Sequence, residues 1–194
     1  DTLVFKRQEL VNHDEDAFDH LLTGSGYTWI AVISVHKQIV QLKDVNSFFG
    51  NLRNGGMYEG IWGNVTDDNR VWIGSRNGIT FGRWDGNNPM VLAPEPLKEN
   101  QYYVVAGRMG SGTGEVQVEV FINEPQPVAS KPFPANPKAN SSKLAIGQER
   151  DATNHPGKES FDGELARFLV YERPLTNDEL RRTLESLKKM YAIQ

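Results

Sequence analysis

Apolar and polar residues alternate with a period of two along much of the chain, which is the pattern of β-strands. The clearest case is EVQVEVFIN, residues 115–123, in which every second residue is a valine: Val116, Val118 and Val120. Because successive side chains of a strand point to opposite faces, these valines predict a half-buried antiparallel strand. YTWIAVISVH, residues 27–36, is almost wholly apolar, and its length and β-branched content predict a strand buried on both faces.

Strand-like runs recur in the rest of the chain, each bounded by Gly, Asn, Asp or Pro: VWIG, ITFGRW, YYVVAGRM, KLAIGQ and ELARFLVYE. Short strands at such regular spacing are typical of an all-β sandwich or barrel. The segment 123–142 carries five of the ten prolines. We interpret it as sheet edge and turn rather than as a linker, because the strands on both sides still need partners.

We predict one domain over residues 1–194. Residues 1–26 are treated as an N-terminal extension of uncertain role, in which the acidic stretch QELVNHDEDAFDHLL forms a loop or a single helical turn. The charged loop around residues 148–161 is interpreted as a connector between strands. No internal repeat is present.

One helix is predicted at the end of the chain. Thr176 has the position of an N-cap, Glu179 completes a capping box, and Leu175 with Leu180 forms a hydrophobic staple. Apolar residues then recur at helical spacing, which predicts an amphipathic helix with one apolar face: Leu180, Leu184, Leu187 and Tyr191. With so many strands upstream, we expect this face to pack on the sandwich.

Composition narrows the possible partners. The formal net charge is −4 and Lys and Arg are scattered, so we expect no nucleic-acid partner. The absence of cysteine excludes disulfides, cysteine-based metal sites and thiol catalysis. There is no apolar run of transmembrane length, so we expect no membrane insertion. The start DTLVF, which has neither Met nor a signal segment, favours a portion cut from a longer chain with other domains as partners.

The closing stretch FDGELARFLVYERPLTNDEL resembles the last strand and helix of laminin G-like domains of the concanavalin A-like lectin/glucanase superfamily. The positions that match that pattern are Phe161, Asp162, Gly163, Tyr171, Arg173, Leu175, Thr176 and Glu179. The match is dense in the C-terminal half, and YTWIAVISV resembles an early core strand. The resemblance implies an all-β fold: a two-sheet antiparallel jelly-roll sandwich with the C-terminal helix packed on it, and rim loops that often carry ligands and sometimes calcium.

Catalytic signatures are missing from the sequence. The hydrolase branch of the superfamily uses a Glu-x-Asp-x-x-Glu strand, and retaining chemistry needs two carboxyls about 5–5.5 Å apart. That spacing does not occur here, and the four histidines share no metal-ligand spacing. GRMGSGTGEV lacks the Lys-Ser/Thr ending of a phosphate-binding loop. We therefore expect no enzyme activity and no catalytic residue; a lyase site without a local motif stays open as a third alternative.

Tyr58 to Asn88 is the segment best suited to bind a ligand, since it holds three of the four tryptophans. Indole rings beside Asp, Asn and Arg suit sugars, whose C–H faces stack on aromatics while their hydroxyls form hydrogen bonds. Trp72 lies between apolar neighbours and is predicted to be core. Trp62 and Trp84 adjoin glycines or a turn and are predicted to be exposed. The candidate carbohydrate-binding residues are Trp62, Trp84, Asp85, Arg76, Asn77 and Arg83.

Calcium is the only cofactor that the sequence suggests. Asp67 and Asp68 supply hard oxygen ligands in the stretch TDDN, although a tight turn is the favoured interpretation of these residues. The leading hypothesis for function is a non-catalytic carbohydrate-binding module of an exported, periplasmic or cell-surface protein, with a glycan as partner. The alternative is a structural or protein-interaction domain that binds no sugar.

Overall fold

The structure is a computed structural model in which two antiparallel sheets pack face to face. Sheet A has the spatial order β1 (Leu3–Lys6), β12 (Asp162–Tyr171), β3 (Tyr27–Val35), β8 (Tyr102–Met109), β9 (Gly114–Ile122) and β10 (Ala129–Ala135). Sheet B has the order β2 (Leu10–Val11), β11 (Ala145–Ile146), β4 (Asn46–Gly50), β5 (Glu59–Val65), β6 (Arg70–Asn77) and β7 (Met90–Pro96). The residues described are 2–6, 8–14, 17–21, 23–39, 46–51, 59–77, 90–135, 143–148 and 159–194.

The main hydrophobic core lies between the two sheets. Trp29 on β3 is wholly buried there, and its ring meets Phe48 and Phe49 of sheet B edge to face, at centroid distances of 5.6 and 4.9 Å. Val116, Val118 and Val120 of β9 all belong to this core, which confirms the face predicted from their alternation.

A second core covers the outer face of sheet A. Ile30 and Val32 of β3 face this side, where they join Leu180, Leu184 and Leu187 of the helix α1 (Asn177–Met190). Because both faces of β3 are therefore covered, all of its residues are buried, as the sequence predicts. The predicted capping box is present, since Thr176 accepts a hydrogen bond from the Glu179 amide and the Glu179 side chain accepts one from the Thr176 amide.

The N-terminal residues are part of the sandwich rather than an appendage to it. β1 pairs with β12 and β2 pairs with β11, so each contributes the edge strand of one sheet. Asp19–Leu21 forms one turn of 3₁₀ helix, which is the second of the two alternatives predicted for the acidic stretch, and its Leu21 is wholly buried in the core. The treatment of residues 1–26 as an extension is therefore wrong for the described part of that segment.

The Pro-rich segment 123–142 contains the edge strand β10, which pairs with β9. This agrees with its interpretation as sheet edge and turn rather than as a linker between domains. Its register pairs Ala129 with Val120 and Phe133 with Val116. The predicted strand ITFGRW lies outside the described residues. None of the helices in the described ranges is long and apolar enough to cross a bilayer.

Candidate functional site

The outer face of sheet B carries an unusual pair of tryptophans. On β5 the side chains of Ile61 and Val65 enter the core, so the alternating residues Trp62 and Asn64 face outward. On β6 the same alternation turns Trp72 outward. Since α1 packs on sheet A, no described helix covers this side of the sandwich. We call this surface, formed by Ser47, Trp62, Asn64, Trp72, Gly74, Met90 and Leu92, the tryptophan face.

Strand register assembles the tryptophan face in two rows. One row runs from Trp62 through Gly74 to Met90, and the other runs from Asn64 through Trp72 to Leu92. The two indoles meet edge to face, with ring centroids 5.8 Å apart and planes at 78°. Edge-to-face contact is a favoured aromatic geometry and holds each ring in place.

Both indoles of the tryptophan face are buried. Trp62 is 2% exposed, so the prediction that it is an exposed stacking residue is wrong. Trp72 is 1% exposed, which confirms its predicted burial, but it lies in the outer cluster with Met90 and Leu92 rather than between the sheets. Neither ring presents an open platform to a sugar in this conformation.

Two hydrogen-bond donors on this face lack acceptors. The Trp62 Nε1–H and the Asn64 Nδ2 amide group are buried and make no hydrogen bond to any residue that the structure describes. The other end of the Asn64 side chain is engaged, because its Oδ1 accepts a hydrogen bond from the Ser47 hydroxyl. An unpaired buried donor destabilises the folded state, so an acceptor supplied by a ligand or water would be favourable here. Trp29 Nε1 is unpaired too, but it lies inside the sealed core.

The predicted metal residues form a tight β5–β6 turn. The Thr66 amide donates to the Arg70 carbonyl at 2.9 Å, and Asn69 adopts φ 64°, a left-handed conformation that asparagine tolerates. Asp68 accepts hydrogen bonds from the Thr66 hydroxyl and from Arg70 Nε, which lies 3.2 and 3.0 Å from its two oxygens. The Thr66 hydrogen bond, followed by the Arg70 interaction, holds the pKa of Asp68 below its ordinary value.

This geometry agrees with the turn interpretation. The Asp67 residue is exposed, while the Asp68 carboxylate already has partners. In the described ranges, no group of three or more His, Asp or Glu side chains is arranged to hold a metal ion. Calcium binding at Asp67 and Asp68 remains a prediction.

The other sequence candidates are placed only in part. Arg76 pairs with Gly60 and Asn77 pairs with Glu59 at the end of the β5–β6 ladder, which fixes their backbone positions. Trp84, Asp85 and Arg83 lie outside the described residues. The tryptophan face also contains Ser47 and Asn64, which the sequence does not identify as candidate sugar-binding residues. Asn64 begins the sequon NVT, but it is wholly buried in a strand and is therefore not a surface acceptor for glycosylation.

Ionisable side chains gather instead on the outer face of sheet A. The Glu164 carboxylate accepts a hydrogen bond from the Tyr102 hydroxyl and lies 3.4 Å from His36 Nε2. Burial, followed by this hydrogen bond, raises the pKa of Tyr102. Glu119 forms an ion pair with Arg108 at 2.7 Å, and Arg108 also donates to the Leu175 carbonyl before α1. Both carboxylates thus have structural partners that join strands to one another or to the helix.

Comparison of the fold with solved structures finds sugar-binding proteins among the similar ones. The CBM40 of Ruminococcus gnavus IT-sialidase, bound to α2,3 sialyllactose, superposes with a TM-score of 0.63 at 14% identity, covering 94% of this chain and 95% of that one. A putative carbohydrate binding protein from Bacteroides ovatus gives a TM-score of 0.61 at 15% identity, covering 93% of this chain but 46% of that one.

An enzyme is also among the similar structures. Trypanosoma rangeli sialidase in complex with sialic acid gives a TM-score of 0.59 at 14% identity, and the match covers 84% of this chain but only 23% of the sialidase. At these identities the likeness shows a shared fold. No curated protein matches the sequence significantly.

A family model does match the sequence itself. The match extends over residues 19–181 and therefore includes most of both sheets and the first part of α1. It agrees with the sandwich, the closing strand and the capped helix described above. The chain belongs to this laminin G family of the concanavalin A-like lectin/glucanases superfamily.

Proposed function

We propose that the chain is a non-catalytic carbohydrate-binding module and that the tryptophan face is its glycan site. The observation that carries the proposal is the pair of buried, unpaired donors, Trp62 Nε1 and Asn64 Nδ2, beside two indoles on the sheet face opposite α1. Sugars offer hydroxyl, acetamido and carboxylate oxygens as acceptors and C–H faces for aromatic contact. The sialyllactose-bound R. gnavus module has the same fold and supports the ligand class.

The burial of Trp62 sets a condition on this proposal. A glycan reaches its N–H only after the surroundings of the indole rearrange, and the binding free energy is reduced by the cost of that change. The ligand group that enters must be an acceptor, because the free groups of Trp62 and Asn64 are both donors.

Catalysis is not part of the proposed function. Glu119 and Glu164, two strand carboxylates of the described region, lie on sheet A and are engaged with Arg108 and Tyr102. Most glycosidases use a pair of carboxyl groups that flank the scissile bond. Turnover of any polysaccharide that is abolished by Glu119→Gln would overturn this part of the proposal.

A structural or protein-interaction module is the second candidate function. The observation that favours it is the same burial of Trp62 and Trp72, since both indoles already have packing partners and neither is open to a sugar. Under this alternative the two indoles stabilise sheet B, and the unpaired donors are tolerated defects. We propose, with either function, that the protein acts outside the cytoplasm or at the cell surface, where glycans and adhesion partners are displayed.

A glycan array, run with calcium and with EDTA, separates the two functions. The decisive variant is Trp62→Phe, which keeps an aromatic ring on the tryptophan face but removes the N–H donor. Its matched control is Trp29→Phe, which makes the same change inside the sealed core. We expect glycan binding that falls at least about tenfold in Trp62→Phe and is unchanged in folded Trp29→Phe. An array without any bound glycan would leave the structural module as the function.

A further inference from the structure

Among the described residues, the edge of sheet A is unpaired beside the second half of β12. β1 pairs with β12 only from Asp162 to Leu165, whereas β3 pairs with it as far as Tyr171. Among the described strands, none pairs with the β1-facing edge of Arg167–Tyr171. A one-residue irregularity in the register lies between Leu165 and Arg167, at the point where β1 ends and β12 continues with β3 as its only described partner.

The other strand edges of the described sheets are protected against pairing. β10 and β7, the far edges of sheets A and B, each carry two prolines, which cannot donate to a ladder. β1 has four residues and β2 has two, so they offer little length. The stretch Arg167–Tyr171 reads RFLVY, has no proline, and is rich in residues that favour strands.

An apolar groove of about 410 Å³ follows this open edge; Phe168, which packs against the core between the sheets, lines its inner side, and Arg167 also belongs to its lining. It lies between the edges of the two sheets, and its apolar lining includes Leu3, Leu10, Ile146 and Phe168. Leu3 and Leu10 are 48% and 53% exposed, so water contacts a continuous apolar surface there.

The outer side of the same edge is cationic. Arg167 lies opposite Val32, whose side chain faces α1, and therefore points to the outer face, where it lines a second groove with Arg182 and Met190. Arg167 makes no hydrogen bond or ion pair with any described residue, and Arg182 donates only to the Asp178 carbonyl. Two cations without carboxylate partners are notable in a protein of net charge −4.

We propose that the open edge of β12 binds an extended peptide by β-strand addition, with apolar side chains directed into the inner groove and carboxylates directed to Arg167 and Arg182. A free strand edge presents backbone donors and acceptors that only another extended backbone can satisfy together. A peptide strand places alternate side chains on opposite faces, so one apolar and one acidic face match the two sides of this edge. The site is separate from the tryptophan face, which belongs to the other sheet.

The test uses the whole 194-residue chain and the peptide Thr-Val-Glu-Val-Glu-Val-Thr-amide, which carries fluorescein in place of an acetyl group on its N-terminal nitrogen, with binding followed by fluorescence polarisation. We expect saturable binding that is lost when lysine replaces both glutamates in the peptide. Binding should also be lost when alternate amides are N-methylated, because the backbone donors are then removed. Hydrogen exchange should slow at residues 167–171 when the acidic peptide is present.

The variant Arg167→Glu should weaken peptide binding by about tenfold or more, since it places a like charge opposite the peptide carboxylates. Its matched control is Lys131→Glu, which makes the same charge change on the proline-protected strand β10 at the far edge of sheet A. Both residues are exposed, so equal melting temperatures would confirm that the variants fold.

Three results would overturn the proposal: no saturable binding, binding that is indifferent to backbone methylation, or equal loss in both variants. Concentration-dependent dimers that protect residues 167–171 without peptide would show that a second copy of the chain occupies the edge instead.

Discussion

The indole of Trp62 lies over Gly74 on the neighbouring strand and occupies the space of a side chain that glycine lacks. A Cβ built on Gly74 would lie 2.3 Å from Cζ2 of Trp62 and 2.5 Å from its Cε2. Because the ring also meets Trp72 edge to face, it has little freedom to move aside. The glycine at position 74 of β6 therefore makes room for the Trp62 ring of β5.

Gly74→Ala is expected to destabilise the protein by about 1–3 kcal/mol, as overpacking of a filled site does. Urea denaturation would give the free energy of unfolding, and near-ultraviolet circular dichroism would report the displaced indole. Gly110→Ala is the matched control, because the nearest atom to its added Cβ is at 3.6 Å and its φ is not in the left-handed region. Equal stability of the two variants would contradict the close packing described here.

Removal of the Trp62 ring should be more costly than its replacement by phenylalanine. Trp62→Ala leaves a cavity beside Trp72 and is expected to destabilise by about 3–5 kcal/mol. The measurement is again the free energy of unfolding in urea. A cost below about 0.5 kcal/mol, typical of surface positions, would instead mean that Trp62 is exposed in solution.

The sequence predicts the helix better than it predicts the tryptophan face, for a physical reason. The capping box and the staple are local, since Thr176, Glu179 and Leu180 lie within about one helical turn. Whether this helix start forms therefore depends little on the rest of the fold. Burial of Trp62 depends on strand pairing. The glycine next to Trp62 in sequence, Gly63, suggests a turn, but Gly63 belongs to β5. A Cβ built on Gly63 would lie 2.4 Å from the Phe48 ring, so only glycine fits there. That contact joins β4 to β5 and cannot be inferred from neighbours in sequence.

Strand edges were equally hard to predict. β1 and β2 are too short to show alternation, and they form because a partner is already in place. Such pairing is non-local, as between Leu3 and Leu165. The sequence does show that residues 167–171 have strand character, but which of their edges is open follows only from the strand order.

Leu184→Ala tests whether α1 is an integral part of the domain. Leu184 is 1% exposed and packs with Ile30, Val32 and Phe121 in the core on sheet A. We expect a loss of about 2–5 kcal/mol, as for other buried large-to-small changes. Ser186→Ala, at an exposed position of the same helix, should change stability by less than about 0.5 kcal/mol. An unchanged urea midpoint for Leu184→Ala would mean that the helix is detached in solution.

If a divalent ion binds to this chain, we predict that it is calcium, because the available side-chain ligands are carboxylate and amide oxygens and no cysteine is present. The melting temperature would then be higher with calcium than with EDTA, following RT ln(1 + [L]/Kd). Asp67→Asn should remove the rise, whereas Asp178→Asn, an exposed carboxylate on α1, should retain it. A melting temperature that changes with neither calcium nor EDTA would contradict the prediction of calcium binding.

The N-terminal cap of α1 should make the stability depend on pH in the acid range. Two hydrogen bonds from Arg173, at 2.9 and 2.8 Å, together with those from the Thr176 amide and hydroxyl, lower the pKa of Glu179 to about 2. Because the folded pKa is below the unfolded value, the stabilisation is complete above the ordinary pKa of 4.5 and is lost as the pH falls toward 2.

Glu179→Gln keeps a capping side chain but removes the charge that Arg173 contacts. The stability difference between the natural chain and this variant should therefore be constant above about pH 5, shrink as the pH falls, and vanish only below the folded pKa of about 2. Urea titrations across this range would measure it, and an NMR titration of the Glu179 carboxyl would give the pKa directly. A carboxyl that titrates near 4.5, with a stability difference that does not change with pH, would show that Arg173 does not hold Glu179 in solution.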